Sequence, residues 1–241
     1  MLQNTSATVK TLALRSSADY KAKIITDSIE GLHMIIDKQE VYFQLSGRFN
    51  AYNLSTVYAI LKESGLPSDE ILPVLSQLKG AEGRFEKIIH PITKTCAIVD
   101  YAHTPDALDN VLQTILQTKY DTQNIITVIG CGGDRDKAKR PKMAQIAASL
   151  SSRVVLTSDN PRSEDPEKIL DDMEAGLKNK NADHVLRMVD RKQAIKTAIA
   201  LSRDRDIILV AGKGHEKYQD IKGEKFLFDD KEIIRNVFNR T

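Results

Sequence analysis

The chain of 241 residues carries only two cysteines, Cys96 and Cys131, and they do not stand in CxxC spacing. That excludes a disulfide framework and a cysteine-built zinc site, and leaves both as small buried hydrophobes. Net charge is nearly absent: 35 basic residues face 33 acidic ones, for a formal charge of +2. No overall field exists to draw nucleic acid or a membrane surface, so neither is expected as a partner. No apolar run approaches the ~18 residues of a membrane span. The start, Met1-Leu2-Gln3-Asn4, has neither the charged nor the apolar region of a signal peptide, and the expected compartment is the cytoplasm. A Walker A motif is missing as well. The one Gly-Lys pair, Gly212-Lys213, runs on into Gly214 rather than Ser or Thr, with Ile207 where the first P-loop glycine would stand.

What is present is the composition of a soluble globular protein, 41% hydrophobic and 28% charged. The length allows two domains with cores of their own. Residues 8 to 46 hold β-type runs (Val9 to Leu14, Ala22 to Ile29, Leu32 to Ile36, Val41 to Leu45) whose short polar breaks predict meandering antiparallel strands. A helix follows with Leu54, Val57, Tyr58 and Leu61 at i, i+3, i+4, i+7, and Asn50 is placed to cap it. A second short helix fits Ser68 to Leu78. Gly80 to Ile89 returns to a strand on which Arg84 and Glu86 flank Phe85, and Pro91 marks the expected domain boundary.

After Pro91 strands and helices alternate. The strands are Cys96 to Tyr101, Ile125 to Ile129, Val154 to Thr157, His184 to Val189 and Ile207 to Ala211, with a shorter one at Lys225 to Phe228. The helices between carry apolar stripes such as Leu108, Val111, Leu112, Ile115 and Ala194, Ile195, Ala198, Ile199, and start at Thr104-Pro105, Asp190 and Asp229 or Asp230. Strands joined through helices pair in parallel by right-handed crossovers. The expected fold class is therefore α/β, a doubly wound, mostly parallel, Rossmann-like sheet, preceded by a smaller β/α region.

In such a sheet ligands bind outside the carboxyl ends of the strands. Four strands run there into polar loops: Asp100-Tyr101-Ala102-His103, Gly130-Cys131-Gly132-Gly133-Asp134-Arg135-Asp136, Asp159-Asn160-Pro161-Arg162, and Gly212-Lys213-Gly214-His215-Glu216. Solvated connections would not sort His, Asp, Arg, Lys and Glu to one edge, and a ligand site is expected there. In the third loop a guanidinium sits among carboxylates and an amide, before Pro166 at a first helical position. The glycines of Gly130 to Gly133 free the backbone to approach a ligand, with Arg135, Lys137, Lys139 and Arg140 around them; the lysines also read as a solvated basic helix start. His103 and His215 sit beside polar groups at strand ends, whereas His33, His90 and His184 have no such setting.

Taken in order, the stretches Gly47 to Asn53, Gly83 to Glu86, Asp100 to Leu108, Gly130 to Pro141, Asp159 to Arg162 and Gly212 to Gln219 resemble the second half of the Mur ligases, the ATP-dependent amino-acid-adding enzymes of peptidoglycan synthesis and cell-wall biogenesis. The likeness is greatest to the branch that adds the third residue. It implies a two-step reaction: ATP phosphorylates the terminal carboxylate of UDP-MurNAc-dipeptide, and the amine of the incoming amino acid attacks the acyl phosphate. On this resemblance Asn50, Asn53, Arg84 and Asp100 help hold ATP with the His103 segment nearby, Arg84 and Asp100 being the catalytic pair. Arg140, Asp159, Asn160, Arg162, Gly212 and Glu216 hold the amino acid. The resemblance further implies meso-diaminopimelate rather than lysine, because a guanidinium such as Arg162 can take the distal carboxylate that lysine lacks, while Glu216 accepts the distal ammonium.

A complete Mur ligase also has a UDP-sugar domain, a P-loop, acidic and histidine ligands for Mg2+, and a carbamylated lysine. These would lie upstream of Met1, so no metal ligand is assigned here and the chain reads as a C-terminal piece. Residues 1–91 are expected to end the central ATP-binding domain, and 92–241 to form the amino-acid-binding domain. Two alternatives remain at this stage. One is a folylpolyglutamate synthetase-like ligase, which the Asp-Asn-Pro-Arg and Gly-Lys-Gly-His-Glu loops oppose; the other is a non-catalytic module that binds an amino acid or nucleotide.

Overall fold

The computed structural model describes residues 6–177 and 183–240; the opening Met1-Leu2-Gln3-Asn4 lies outside the described residues. The chain divides into two compact units, Met1–Lys79 with Thr114–Tyr120, and Gly80–Gln113 with Asp121–Thr241.

In the first unit β1 (Leu12–Ala13), β2 (Tyr20–Ser28), β3 (Gly31–Ile36) and β4 (Gln39–Phe43) form one sheet in that order. β2, β3 and β4 are the expected antiparallel meander, but β1 runs parallel to β2. The chain loops back between them because Thr11 and Asp19 clamp its ends, the Thr11 N–H and hydroxyl donating to the Asp19 carboxylate at 2.8 and 2.6 Å. Alternation along β3 buries Leu32, Met34 and Ile36, which pack with Leu54 and Tyr58 of α1 (Arg48–Glu63) and with Ile71, Leu72 and Leu75 of α2 (Ser68–Ser76). Asn50 does not cap α1. Gly47 takes the cap position at φ 92°, where a side chain is disfavoured, and the Asn50 amide donates instead to the Ser46 carbonyl at 2.8 Å.

The second unit contains β5 (Glu86–Ile89), β6 (Cys96–Asp100), α3 (Pro105–Thr118, whose residues from Thr114 on fall in the first unit), β7 (Ile125–Cys131), α4 (Lys139–Leu150), β8 (Arg153–Ser158), α5 (Pro166–Glu174), β9 (Val185–Arg187), α6 (Arg191–Leu201), β10 (Ile207–Ala211), β11 (Tyr218–Ile221), β12 (Glu224–Leu227) and α7 (Asp230–Phe238). The main sheet has the order β5-β6-β10-β7-β8-β9, parallel throughout except for β5 at its edge. Every residue of β6, β7 and β10 is buried, as in a sheet covered on both faces. α6 and α7 supply Ala194, Ile195, Ala198, Ile234 and Phe238 against Val99, Val128, Val155 and Val210 on one face. On the other, Met143 of α4 meets Cys131 of β7 at 3.7 Å between sulfurs. The expected starts at Asp190 and Asp229 are caps, and so is Asp165 before Pro166: each accepts from backbone N–H groups of the first turn. Both cysteines are free and buried, and burial pushes each thiol pKa up to about 12.

Three expectations change. Pro91 is not a boundary: it lies in the tight connection where the His90 N–H donates to the Thr95 carbonyl at 2.9 Å and β5 pairs antiparallel with β6, so the division falls at Lys79/Gly80. Arg84 is not on a strand, since Phe85 turns at φ 45° and β5 begins only at Glu86. The shorter strand near Lys225 is one arm of a hairpin, β11 with β12, closed by Lys222 and Gly223 at φ 52° and 84°. A chain of residues 80–241 is expected to unfold cooperatively, whereas one starting at Ile92 loses β5, bares the edge of β6 and melts at least ~5 °C lower. Equal melting temperatures by circular dichroism would show that β5 is not part of this fold.

Candidate functional site at the strand carboxyl ends

β6 and β10 end side by side at Asp100 and Ala211, and β7 and β8 at Gly130–Cys131 and Thr157–Ser158, so the four polar loops emerge from adjacent strands. The loops after β7 and β8 touch backbone to backbone. A β-carbon on Gly130 would lie 2.5 Å from the Thr157 carbonyl oxygen, and one on Gly133 would fall on the carbonyl of Pro161. Glycine is therefore demanded by close approach, and the Gly133 N–H donates to the Asn160 carbonyl at 2.9 Å.

In the loop after β8, Asp159 and Asn160 are buried and point to the loop after β10. The Asn160 amide donates to Glu216 Oε2 at 2.8 Å and accepts from Lys213 Nζ at 2.7 Å. Lys213 also lies 3.4 Å from Asp159 Oδ1 and 3.7 Å from Glu216 Oε2. Gly212, at φ 115°, passes so near that a β-carbon would stand 2.6 Å from Asp159 Oδ2. Asp159, Asn160, Gly212 and Glu216 are thus brought together as expected, around a lysine that the sequence reading left without a role. Burial lowers the Lys213 pKa, against the pull of the Asp159 and Glu216 carboxylates. Arg162 holds a left-handed backbone, φ 51°, fixed by its N–H to the Asp220 carbonyl and by its own carbonyl to the Lys222 N–H. Its Nη1 donates to the Gly133 carbonyl at 2.6 Å.

Arg140 does not join this group, contrary to expectation. Its side chain is wholly enclosed, and its guanidinium grips both oxygens of Glu164 at 2.8 and 2.9 Å and Asp172 at 2.8 Å. No donor fork is left for a ligand; Arg140 ties α4 to the loop before α5. Arg135 is the exposed guanidinium of the loop after β7, donating to the carbonyl of Asp134 at 3.1 Å. It lies with Arg162 about Gly132, whose β-carbon would be 2.8 Å from Arg162 Nη1 and 3.8 Å from Arg135 Cγ.

The Arg140 guanidinium holds the Glu164 carboxyl at about 2, below its ordinary 4.5. A depressed carboxyl pKa contributes stability that is complete above the unfolded value and is lost as pH falls through the folded one. Glu164→Gln is therefore expected to melt below wild type at neutral pH, with the gap shrinking as pH drops from about 4.5 toward 2. A gap in melting temperature that stays constant over that window would rule out the ion pair as its source.

At the end of β6 the Asp100 carboxylate is buried and braces a turn: it accepts from the Phe85 N–H at 2.7 Å and the Ala102 N–H at 2.8 Å. Burial raises its pKa, opposed by those two N–H groups and by Arg84. The exposed Arg84 guanidinium lies 4.9 Å from the centroid of the Tyr101 ring, and the His103 and His215 rings flank the same tyrosine at 4.7 and 5.3 Å. Asn50 and Asn53 belong to the first unit, one turn apart on α1, with 3.5 Å between Asn53 Nδ2 and Asn50 Oδ1.

Sheet order and polar edge together define a doubly wound α/β domain of the Rossmann-like class. The family model described as "Mur ligase, glutamate ligase domain" matches residues 83–214, more than half of the chain. The UDP-N-acetylmuramoyl-L-alanyl-D-glutamate–2,6-diaminopimelate ligase of Parabacteroides distasonis is 53% identical over 99% of this chain and 49% of its own length. The ligase of the same name from Halalkalibacterium halodurans is 44% identical over 97% of this chain and 48% of its own. A solved structure bearing that name, 36% identical, superposes with a TM-score of 0.75 and covers 96% of this chain and 47% of its own. A folylpolyglutamate synthase from Thermotoga maritima, 19% identical with a TM-score of 0.63 over 80% of this chain and 44% of its own, shares the fold. The chain belongs to the Mur ligase family. It spans about half the length of the curated relatives it matches.

Proposed function

We propose that this chain is the amino-acid-accepting half of an ATP-dependent amide ligase that joins meso-diaminopimelate to UDP-N-acetylmuramoyl-L-alanyl-D-glutamate. The observation that carries the reading is one edge that presents two guanidinium groups, Arg135 and Arg162, beside an acidic cluster of Asp159 and Glu216. Diaminopimelate has carboxylates for the forks and ammonium groups for the acids, and its recognition needs both kinds of partner. The names of the relatives that are 44% and 53% identical agree with this chemistry and not with that of a folate ligase.

On the nucleotide side Arg84, Asp100, Tyr101 and His103 offer a cation, an acceptor and rings suited to ATP, with Asn50 and Asn53 assigned on family grounds. Bound ATP supplies the phosphoryl group that activates the acceptor carboxylate, and the residues here position and balance charge. Among the described residues no group of three or more His, Cys, Asp or Glu could hold a metal ion. No helix among the described residues is long and apolar enough to cross a membrane, and nucleotide substrates make the cytoplasm the proposed compartment.

The test is complementation. Supplied with ATP, Mg2+, the UDP-dipeptide and diaminopimelate, the 241-residue chain alone is expected to release no phosphate above a no-protein control, for want of a phosphate cradle. Mixed with the P-loop-bearing half of the Parabacteroides distasonis ligase, it is expected to form the tripeptide. Failure with the partner half, while that half works with its own C-terminal region, would refute the assignment.

A further inference from the structure

Lys213 has no role in the reading above, yet it is wholly buried beneath the cluster that reading uses. Its Nζ donates to Asn160 Oδ1 at 2.7 Å, and the Asp220 N–H donates to the same oxygen at 3.0 Å. The other end of that carboxamide donates to Glu216 at 2.8 Å. Turning the amide over would set NH2 against two donors and oxygen against a carboxylate, so the orientation is held at both ends. The surroundings of Lys213 are Asp159 and Glu216 from two loops, the Tyr218 ring of β11 at 5.7 Å, and the fully buried pair of Arg191 from α6 with Asp230 from α7. Two cations among three carboxylates leave this nest one formal negative charge, the complement of one ammonium group. Without Lys213 it would carry two.

We propose that Lys213 is the positioning residue of the amino-acid subsite: its ammonium locks the Asn160 carboxamide with Oδ1 inward and holds Asp159 and Glu216 as a pair that accepts a single ammonium. The proposal rests on the substrate reading above for the ligand, but not for the lock. Lys213 acts through Asn160 and Glu216 and touches no reacting atom.

Two variants of the 241-residue chain separate the roles. Lys213→Met keeps length and bulk without charge, and Lys213→Arg keeps charge with more bulk. In ligand-free protein, exchange of the Asn160 side-chain amide protons and the Asp220 amide proton, followed by NMR, is expected to quicken at least about tenfold in Lys213→Met and less in Lys213→Arg. The Kd for meso-diaminopimelate by calorimetry is expected to rise in the same order, by about tenfold or more for Lys213→Met. A packing role predicts the reverse order, methionine fitting and arginine overfilling, and that order would overturn the proposal, as would exchange in Lys213→Met within twofold of wild type. If wild type takes up no diaminopimelate, the substrate reading falls and the exchange data still decide Lys213. Should Lys213→Met not fold, Lys213→Gln takes its place: an uncharged donor is expected to keep Asn160 locked yet raise the Kd, and an unchanged Kd would overturn the role of the charge.

Discussion

Replacing Asp230 by alanine is expected to destabilise the second unit by about 3–5 kcal/mol, the usual cost of leaving a buried charge without its partner. Arg191 and Asp230 are both wholly enclosed, joined by two bonds of 2.9 and 2.7 Å, with a third from Arg191 to the Ala211 carbonyl at 3.1 Å. One pair thus pins the first turns of α6 and α7 to the end of β10. Arg191 Nη1 already has no hydrogen-bond partner among the described residues, so after the substitution the guanidinium keeps one carbonyl only. The loss corresponds to roughly 6–20 °C in melting temperature. Replacing both residues by apolar ones of similar volume is expected to restore much of it, because the desolvation cost of the two charges disappears together. An Asp230→Ala variant that lost less than about 1 kcal/mol in a urea titration would show that water or a neighbouring group compensates Arg191.

Arg162→Ala is expected to cut the preference for diaminopimelate over lysine by tenfold or much more, since losing one partner of a desolvated charge pair costs about 2–5 kcal/mol. The backbone of Arg162 is set by the Asp220 and Lys222 bonds, which alanine keeps, so the change removes the guanidinium without releasing the loop. Among the described residues its fork makes one hydrogen bond, Nη1 to the Gly133 carbonyl, which aims the group and leaves other donors for a ligand. Arg162→Lys is expected to fall between, being a point charge that cannot form two parallel bonds. The ratio of Kd values for diaminopimelate and lysine, or of kcat/KM in the complemented enzyme, is the measurement. A ratio unchanged within about twofold, less than 0.5 kcal/mol, would remove Arg162 from carboxylate recognition and the diaminopimelate assignment with it.

The doubly wound sheet was legible because its central strands are continuous apolar runs and all its helices but α4 begin at aspartates or prolines that the structure uses as caps or first-turn residues. The placement of four polar loops at one edge followed from that topology alone. What escaped depended on tertiary context. β5 was assigned to the wrong unit because a short strand carries no mark of its pairing partner, and β11 was missed because Tyr218-Gln219-Asp220-Ile221 lacks alternation. Arg140 was misjudged despite an available signal: with Met143, Ala144 and Ala147 it forms the i, i+3, i+4, i+7 buried stripe of α4, so its guanidinium had to turn inward, unlike that of Arg135 before the helix. Lys213 gave no such sign. Its apolar approach is only the run of β10, and nothing local says that the second residue beyond it ends against a carboxylate from another strand's loop.

The glycines at the strand ends bear on how such a ligase can be re-engineered. Gly83 and Gly214 lie so close that a β-carbon on the latter would be 2.8 Å from the Gly83 carbonyl, just as Gly130 and Gly133 leave no room beneath the loop after β8. Transplanting the Asp159–Arg162 loop alone from a relative with a different amino acid would therefore import a shape that the resident neighbours do not fit. The loop after β8 interlocks with the loops after β7 and β10 and with the β11–β12 hairpin, and the smallest exchangeable cassette is these four segments together.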